Sequence, residues 1–118
     1  MSTLLVTRHV AVERFTSFLN RFPRAEARLF SRAETEYCYR FKKGPEERLA
    51  ARFAAKCAIR SIHSGLLWLD AEILNDPLGA PYVVARKEAV KVKTVTLSHD
   101  KKWAIAAVLV VVDDEQER

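Results

Sequence analysis

The stretch Pro45-Glu46-Glu47-Arg48-Leu49-Ala50-Ala51-Arg52-Phe53-Ala54-Ala55-Lys56-Cys57-Ala58-Ile59-Arg60-Ser61-Ile62 decides the fold, because two periodic patterns run through it together. Leu49, Ala50, Phe53, Ala54, Cys57, Ala58 and Ile62 recur at helical spacing as a stripe of small and apolar side chains. Small side chains let a helix approach its neighbour closely, so the stripe predicts a central helix laid against a sheet. Pro45 suits the first turn, where a missing N–H costs no hydrogen bond, and the helix should end near Gly65. Arg48, Arg52, Lys56 and Arg60 recur at every fourth position as a basic row beside the stripe. Taken alone, such a row reads as a solvated face.

On the N-terminal side, residues 4–10 are rich in β-branched and aliphatic side chains and predict a strand. Val12, Phe15, Phe18, Leu19 and Phe22 then fall at helical spacing, giving an amphipathic helix over 12–22 closed by Pro23. Its other face carries Arg14 and Arg21, with Arg24 just beyond. Ser31 followed by Glu34 fits a capping box, which predicts a helix to about Phe41. On the C-terminal side, strand-like runs cover 69–74, 82–86, 92–97 and 103–112, divided by Asn75-Asp76-Pro77 with Gly79 and by His99-Asp100. The last run is apolar almost throughout, as expected of a strand buried on both faces, inside the domain or at a subunit contact. A strand, then helices, then four strands predicts an α+β domain with an antiparallel sheet packed on a long central helix.

The 118-residue length suits one domain, expected over 1–112, with a polar tail at 113–118. Hydrophobic and charged fractions of 49% and 30% are those of a globular protein. A net charge of +5 favours an anionic partner: a nucleic acid, an acidic protein surface or a phosphate-rich small molecule. No apolar run approaches the roughly 20 residues that span a bilayer, and no leader pattern opens the chain, so a cytoplasmic protein without membrane contact is expected. Cys38 and Cys57 make neither a disulfide framework nor a zinc spacing and read as reduced thiols.

Four separated pieces of the chain carry a resemblance. Arg48 to Ala58 resembles a catalytic helix containing R-F-A-A-K-E-A, and Phe30-Ser31-Arg32-Ala33-Glu34 to Tyr37-Cys38 is similar to F-T-x-A-E-x-x-Y-C. Ala71-Glu72-Ile73-Leu74-Asn75-Asp76-Pro77-Leu78-Gly79-Ala80-Pro81-Tyr82-Val83 is similar to the hairpin D-I-E-I-x-x-D-x-x-G-x-P-Y, and Val95-Thr96-Leu97-Ser98-His99-Asp100 to a strand end V-x-x-S-H-D. These motifs, in this order, are those of the holo-acyl-carrier-protein synthases, small phosphopantetheinyl transferases. The resemblance implies their fold, and transfer of phosphopantetheine from coenzyme A to a serine of an acyl carrier protein. It also implies trimers with active sites at subunit interfaces.

The same resemblance locates departures. Thr7-Arg8-His9-Val10-Ala11-Val12-Glu13-Arg14 lies where the family has T-D-I-x-E-x-x-R, so Arg8 and Cys57 stand at the positions of the two acids that hold magnesium, and Ala11 replaces a nearby acid. Magnesium takes oxygen ligands, and neither a guanidinium nor a thiol supplies one. The implied protein has a degenerate metal site, binds no magnesium there and is impaired as an enzyme. It retains binding of coenzyme A, a carrier protein or a paralogous transferase subunit in a homo- or hetero-trimer, for fatty acid or polyketide biosynthesis. The expected coenzyme A contacts are Arg8, Arg52, Lys56, Arg60, Ser98 and His99, with Lys56 and His99 as the catalytic candidates; Arg14, Arg21 and Arg24 are expected to dock the carrier protein. The alternative is an active transferase with a relocated metal or an arginine-based site. A third reading, a basic nucleic-acid-binding module, rests on charge alone and lacks any recognition motif.

Overall fold

Side-chain alternation along the last strand determines which face of the sheet receives the long helix. The computed structural model describes residues 2–87 and 90–112, and the expected tail at 113–118 lies outside the described residues. The elements run β1 (Ser2–Ala11), α1 (Val12–Arg21), α2 (Ala25–Leu29), α3 (Arg32–Tyr39), α4 (Pro45–Ile62), a 3-10 turn (Trp68–Asp70), β2 (Ala71–Asn75), β3 (Pro81–Ala85), β4 (Lys91–His99) and β5 (Trp103–Val112). An antiparallel sheet of order β1-β5-β4 and an antiparallel hairpin β2-β3 make the α+β fold expected from the sequence. α4 crosses the sheet and is flanked by α1 and α3.

β5 buries Ala104, Ala106, Val108 and Val110 completely, whereas Trp103 and Ile105 are 47% and 48% exposed. Burial on both faces is therefore not what a single chain provides. The inner face carries small residues because Ala54, Ala55, Ala58 and Ile59 of α4 pack directly on it. Cross-strand pairing puts Leu5 beside Leu109 and His9 beside Ile105, extending an open face of the sheet on the side away from α4.

α4 begins where Pro45 predicts and ends at Ile62, short of Gly65. Its burial is wider than the stripe: Ala51, Arg52, Ala55, Lys56 and Ile59 are buried, while Phe53, Cys57 and Ile62 are half-buried. The middle of the basic row is thus inside the molecule and not a solvated face.

The Ser31 capping box forms, with Ser31 N–H donating to Glu34 Oε1 at 2.9 Å and Glu34 N–H to Ser31 Oγ at 3.3 Å. α3 stops at Tyr39 instead of continuing to Phe41. The five-residue α2 escaped sequence reading because so short a helix carries no periodicity. Residues 69 and 70, expected in a strand, belong to the 3-10 turn, where Asp70 Oδ2 accepts from Leu67 N–H at 2.8 Å. The hairpin turn is held by Asp76 Oδ1, which accepts from Leu78 N–H and Ala80 N–H, both at 2.9 Å. Gly79 has φ 90, a conformation that a side chain would strain.

Candidate functional site

The charged residues of α4 project to two sides and meet different surroundings. On the α3 side, Lys56 Nζ donates to Leu29 O at 2.7 Å, Glu34 Oε1 at 2.7 Å and Trp68 O at 3.1 Å. Glu34 Oε2 accepts from Ile73 N–H at 3.0 Å. An ammonium has three donors, so Lys56 has none left for a ligand. Lys56 and Glu34 are 1% and 0% exposed. Burial draws the lysine below its ordinary value and the adjacent Glu34 opposes that shift. In this geometry Lys56 is a buried clamp joining α2, α3, the 3-10 turn and β2 to α4.

One turn earlier, buried Arg52 donates from Nη2 to Asn75 Oδ1 and from Nη1 to Arg48 O, the latter at 3.4 Å. Its guanidinium lies 5.1 Å from the Tyr37 ring centroid, and that of Arg48 lies 3.6 Å from the Phe41 centroid. Arg52 Nε is buried without a partner among the described residues. Tyr37 and Phe41 line one wall, and Asn75, Asp76, Gly79 and Tyr82 the other, of a cleft of about 600 Å³ between α3 and the hairpin. Arg52 thus stands behind a cleft wall, its charge partly spent on Asn75.

On the β1 side, Arg8 pairs across the sheet with Ala106, which places it on the face that α4 covers, at the sheet edge. Burial raises the Cys57 thiol pKa, while the charges of Arg60 and then Arg8 oppose the rise. The net shift is upward, so the thiol stays protonated at neutral pH. Arg60 is tied by Nε to Leu66 O at 2.8 Å and lies 4.0 Å from the Trp68 centroid; Arg8 Nη1 donates to Thr7 O at 2.9 Å. A guanidinium and a protonated thiol supply no oxygen ligand, so Arg8 and Cys57 are a donor set that does not fit magnesium. Among the described residues, no group of three or more His, Cys, Asp or Glu could hold a metal.

Ser98 pairs with Ile105 and His99 with Ala104, so the two side chains leave opposite faces of the sheet. His99 Nδ1 lies 3.3 Å from Glu47 Oε1 in the first turn of α4. Sequence reading missed Glu47 because 52 residues separate the pair and no motif links them.

Arg14, Arg21 and Arg24 are exposed. Arg21 and Arg24, with Arg28, border a groove of about 700 Å³ that also includes Phe18, Phe22, Leu29 and Trp68. Arg14 lies outside that lining. Phe18 and Phe22 were expected on the apolar face of the first helix, yet they are 42% and 49% exposed while Val12 and Phe15 alone of α1 are buried. Arg28 was not foreseen because α2 was not.

A long helix over an antiparallel sheet, with a hairpin at its flank, defines a small α+β domain. The holo-(acyl-carrier-protein) synthase of Helicobacter pylori, solved in complex with coenzyme A, matches 92% of this chain and 100% of its own with a TM-score of 0.79 and 27% identity. That of Bacillus anthracis, solved with CoA (3′,5′-ADP), matches 92% and 96% with a TM-score of 0.77 at 24% identity. In sequence, the Moorella thermoacetica holo-(acyl-carrier-protein) synthase is 37% identical over 113 residues, covering 86% of this chain and 88% of the relative. The Salinispora arenicola protein of that name is 37% identical over 115 residues, covering 88% and 92%. No protein-family model matches the chain. The chain belongs to the holo-(acyl-carrier-protein) synthase family of phosphopantetheinyl transferases.

Proposed function

We propose that this chain binds coenzyme A and an acyl carrier protein, and that it has lost most or all magnesium-dependent transfer of phosphopantetheine. The observation that carries this reading is the pair of side chains at the expected metal positions: exposed Arg8, on the face of the edge strand that α4 covers, and the half-buried thiol of Cys57, neither of which offers magnesium an oxygen. A pyrophosphate linkage needs its negative charge neutralised. In the family resemblance a dication backed by acids does this, and here the available charges are guanidinium groups that can pair with phosphate oxygens directly. Arg8 and Arg60 then hold the pyrophosphate, and Arg52, Ser98 and His99 contact the rest of coenzyme A.

Arg8 and Cys57 lie on the β1 side of α4, Arg52 on the α3 side, and Ser98 on the open face of the sheet. A complete site therefore needs residues from more than one copy. The open face with Leu5, Trp103 and Ile105 offers the contact for a homotrimer, or for a mixed trimer with an active paralogue. Carrier proteins are acidic, and the groove edged by Arg21, Arg24 and Arg28 around exposed Phe18 and Phe22 suits an acidic helix with an apolar stripe, with Arg14 adding charge on the same helix.

The test is incubation with an apo carrier protein, coenzyme A and magnesium, followed by mass spectrometry. The expected result is binding of both ligands without a magnesium-dependent gain of the prosthetic group. A stoichiometric gain abolished by a chelator would overturn the reading. The positive charges of Arg8 and Arg60, both felt at Cys57, also favour a second reading, an active transferase with an arginine-based site, which predicts a gain that persists in the chelator.

A further inference from the structure

We propose that Glu47 is a positioning residue for His99, holding the imidazole by Nδ1 so that Nε2 is the atom turned to the ligand. The proposal rests on the reading of His99 as a coenzyme A contact. An ionised carboxylate only accepts hydrogen bonds, so at 3.3 Å from Glu47 Oε1 the His99 Nδ1 must carry the proton. The neutral ring is then the Nδ1–H tautomer with a lone pair on Nε2. In the cationic ring Nε2 becomes a donor. In both states Nδ1 is spent on Glu47, and among the described residues Nε2 has no hydrogen-bond partner.

The backbone around the pair makes room for one member and holds the other. Gly44 caps α4 with φ 74, and a Cβ built there would lie 2.7 Å from Glu47 Oε2 and 3.1 Å from its Cδ. The carboxylate therefore rests against the bare Cα of Gly44, in space that any other residue would fill, and its second oxygen is the one that meets His99. The first turn of a helix also favours a negative side chain. On the other side, His99 is the last residue of β4, and the turn beyond it is locked by Asp100. Asp100 Oδ1 accepts from Lys102 N–H and Trp103 N–H, both at 2.7 Å, and Asp100 N–H donates to Trp103 O at 2.9 Å. Glycine cap, carboxylate, imidazole and closed turn thus run as one line of neighbours from the start of α4 to the end of β4.

The experiment reads the imidazole itself. Long-range nitrogen–proton NMR on the ¹⁵N-labelled full chain, at a pH where the His99 ring is neutral, should place its proton on Nδ1. Glu47→Ala should shift the population toward the Nε2–H tautomer. Glu47→Gln, which keeps an acceptor and the side-chain volume, should restore part of the Nδ1–H form and guards against a variant that fails to fold. Calorimetric titration with coenzyme A should then show a loss on the order of tenfold for Glu47→Ala, and no further loss when His99→Ala is added to it. A wild-type ring protonated on Nε2, or a tautomer unmoved by Glu47→Ala, overturns the proposal. Should the tautomer respond while His99→Ala leaves coenzyme A affinity unchanged, the positioning by Glu47 stands and His99 as a ligand contact falls.

Discussion

The two sides of α4 meet cations in opposite ways, its own Lys56 toward α3 and Arg8 of the edge strand toward β1. Toward α3, Lys56 is neutralised by Glu34 and saturated by two carbonyls. Toward β1, exposed Arg8 lends its charge to the surroundings of Cys57, whose neutral thiol does not balance it. The first arrangement is closed and structural. The second leaves positive charge that an anion can complete. Regular spacing along a helix therefore says which residues share a side, and the neighbours contributed by distant segments decide whether a charge is consumed or offered.

The largest expected effect comes from opening the closed side. Lys56→Met removes the partner of a buried carboxylate, and chemical denaturation should register a loss of about 3–5 kcal/mol. The double variant Lys56→Met with Glu34→Gln should lose less than the sum of the single changes, because it leaves no buried charge behind. Additive losses would break the contrast between the two sides. On the β1 side, Arg8→Asp with Cys57→Glu replaces positive charge and sulfur by two oxygen donors, and calorimetry should detect magnesium binding that the unaltered protein lacks. Stability should change far less than for Lys56→Met, since Arg8 is exposed and Cys57 half-buried. Failure of the double variant to bind the ion would mean that more than the two ligands separates this chain from a magnesium site.

A smaller effect sharpens the closed side. A hydrogen bond from the Ser31 side chain, followed by the Arg86 guanidinium, holds the Glu72 carboxyl below its ordinary value of 4.5 against the opposing effect of burial. A depressed carboxylate contributes stability that is complete above that ordinary value and is lost as pH falls through the lower folded one. Thermal melts of Glu72→Gln should therefore differ from the wild type by no more than about 1 kcal/mol near neutrality, and the difference should shrink at acid pH. A gap that widens on acidification would contradict the assignment.

Much of this architecture was legible in the sequence for local reasons. Pro45 marked the start of α4, the Ser31–Glu34 pair marked the cap of α3, and the run from Trp103 to Val112 marked β5 to the residue. Each of these signals lies within a few residues of what it specifies. The rest depends on pairings that local patterns do not encode. Lys56 is consumed by backbone carbonyls of Leu29 and Trp68, which have no side-chain signature. The open face of β5 follows from α4 covering only one side of the sheet, and an apolar run reads the same with one face covered or both. Ser98 and His99 are adjacent in a motif, yet strand alternation sends them to opposite faces. Glu47 meets His99 only because the first turn of α4 lies over the end of β4.

The most direct test of the central claim, that the β1 side of α4 binds an anion without a magnesium-dependent transfer, is mass spectrometry of an apo carrier protein after incubation with this chain and coenzyme A, with magnesium or with a chelator. The account predicts no gain of the phosphopantetheine group that depends on magnesium, alongside measurable coenzyme A binding that weakens in Arg8→Ala. Full conversion in magnesium that the chelator abolishes would contradict it.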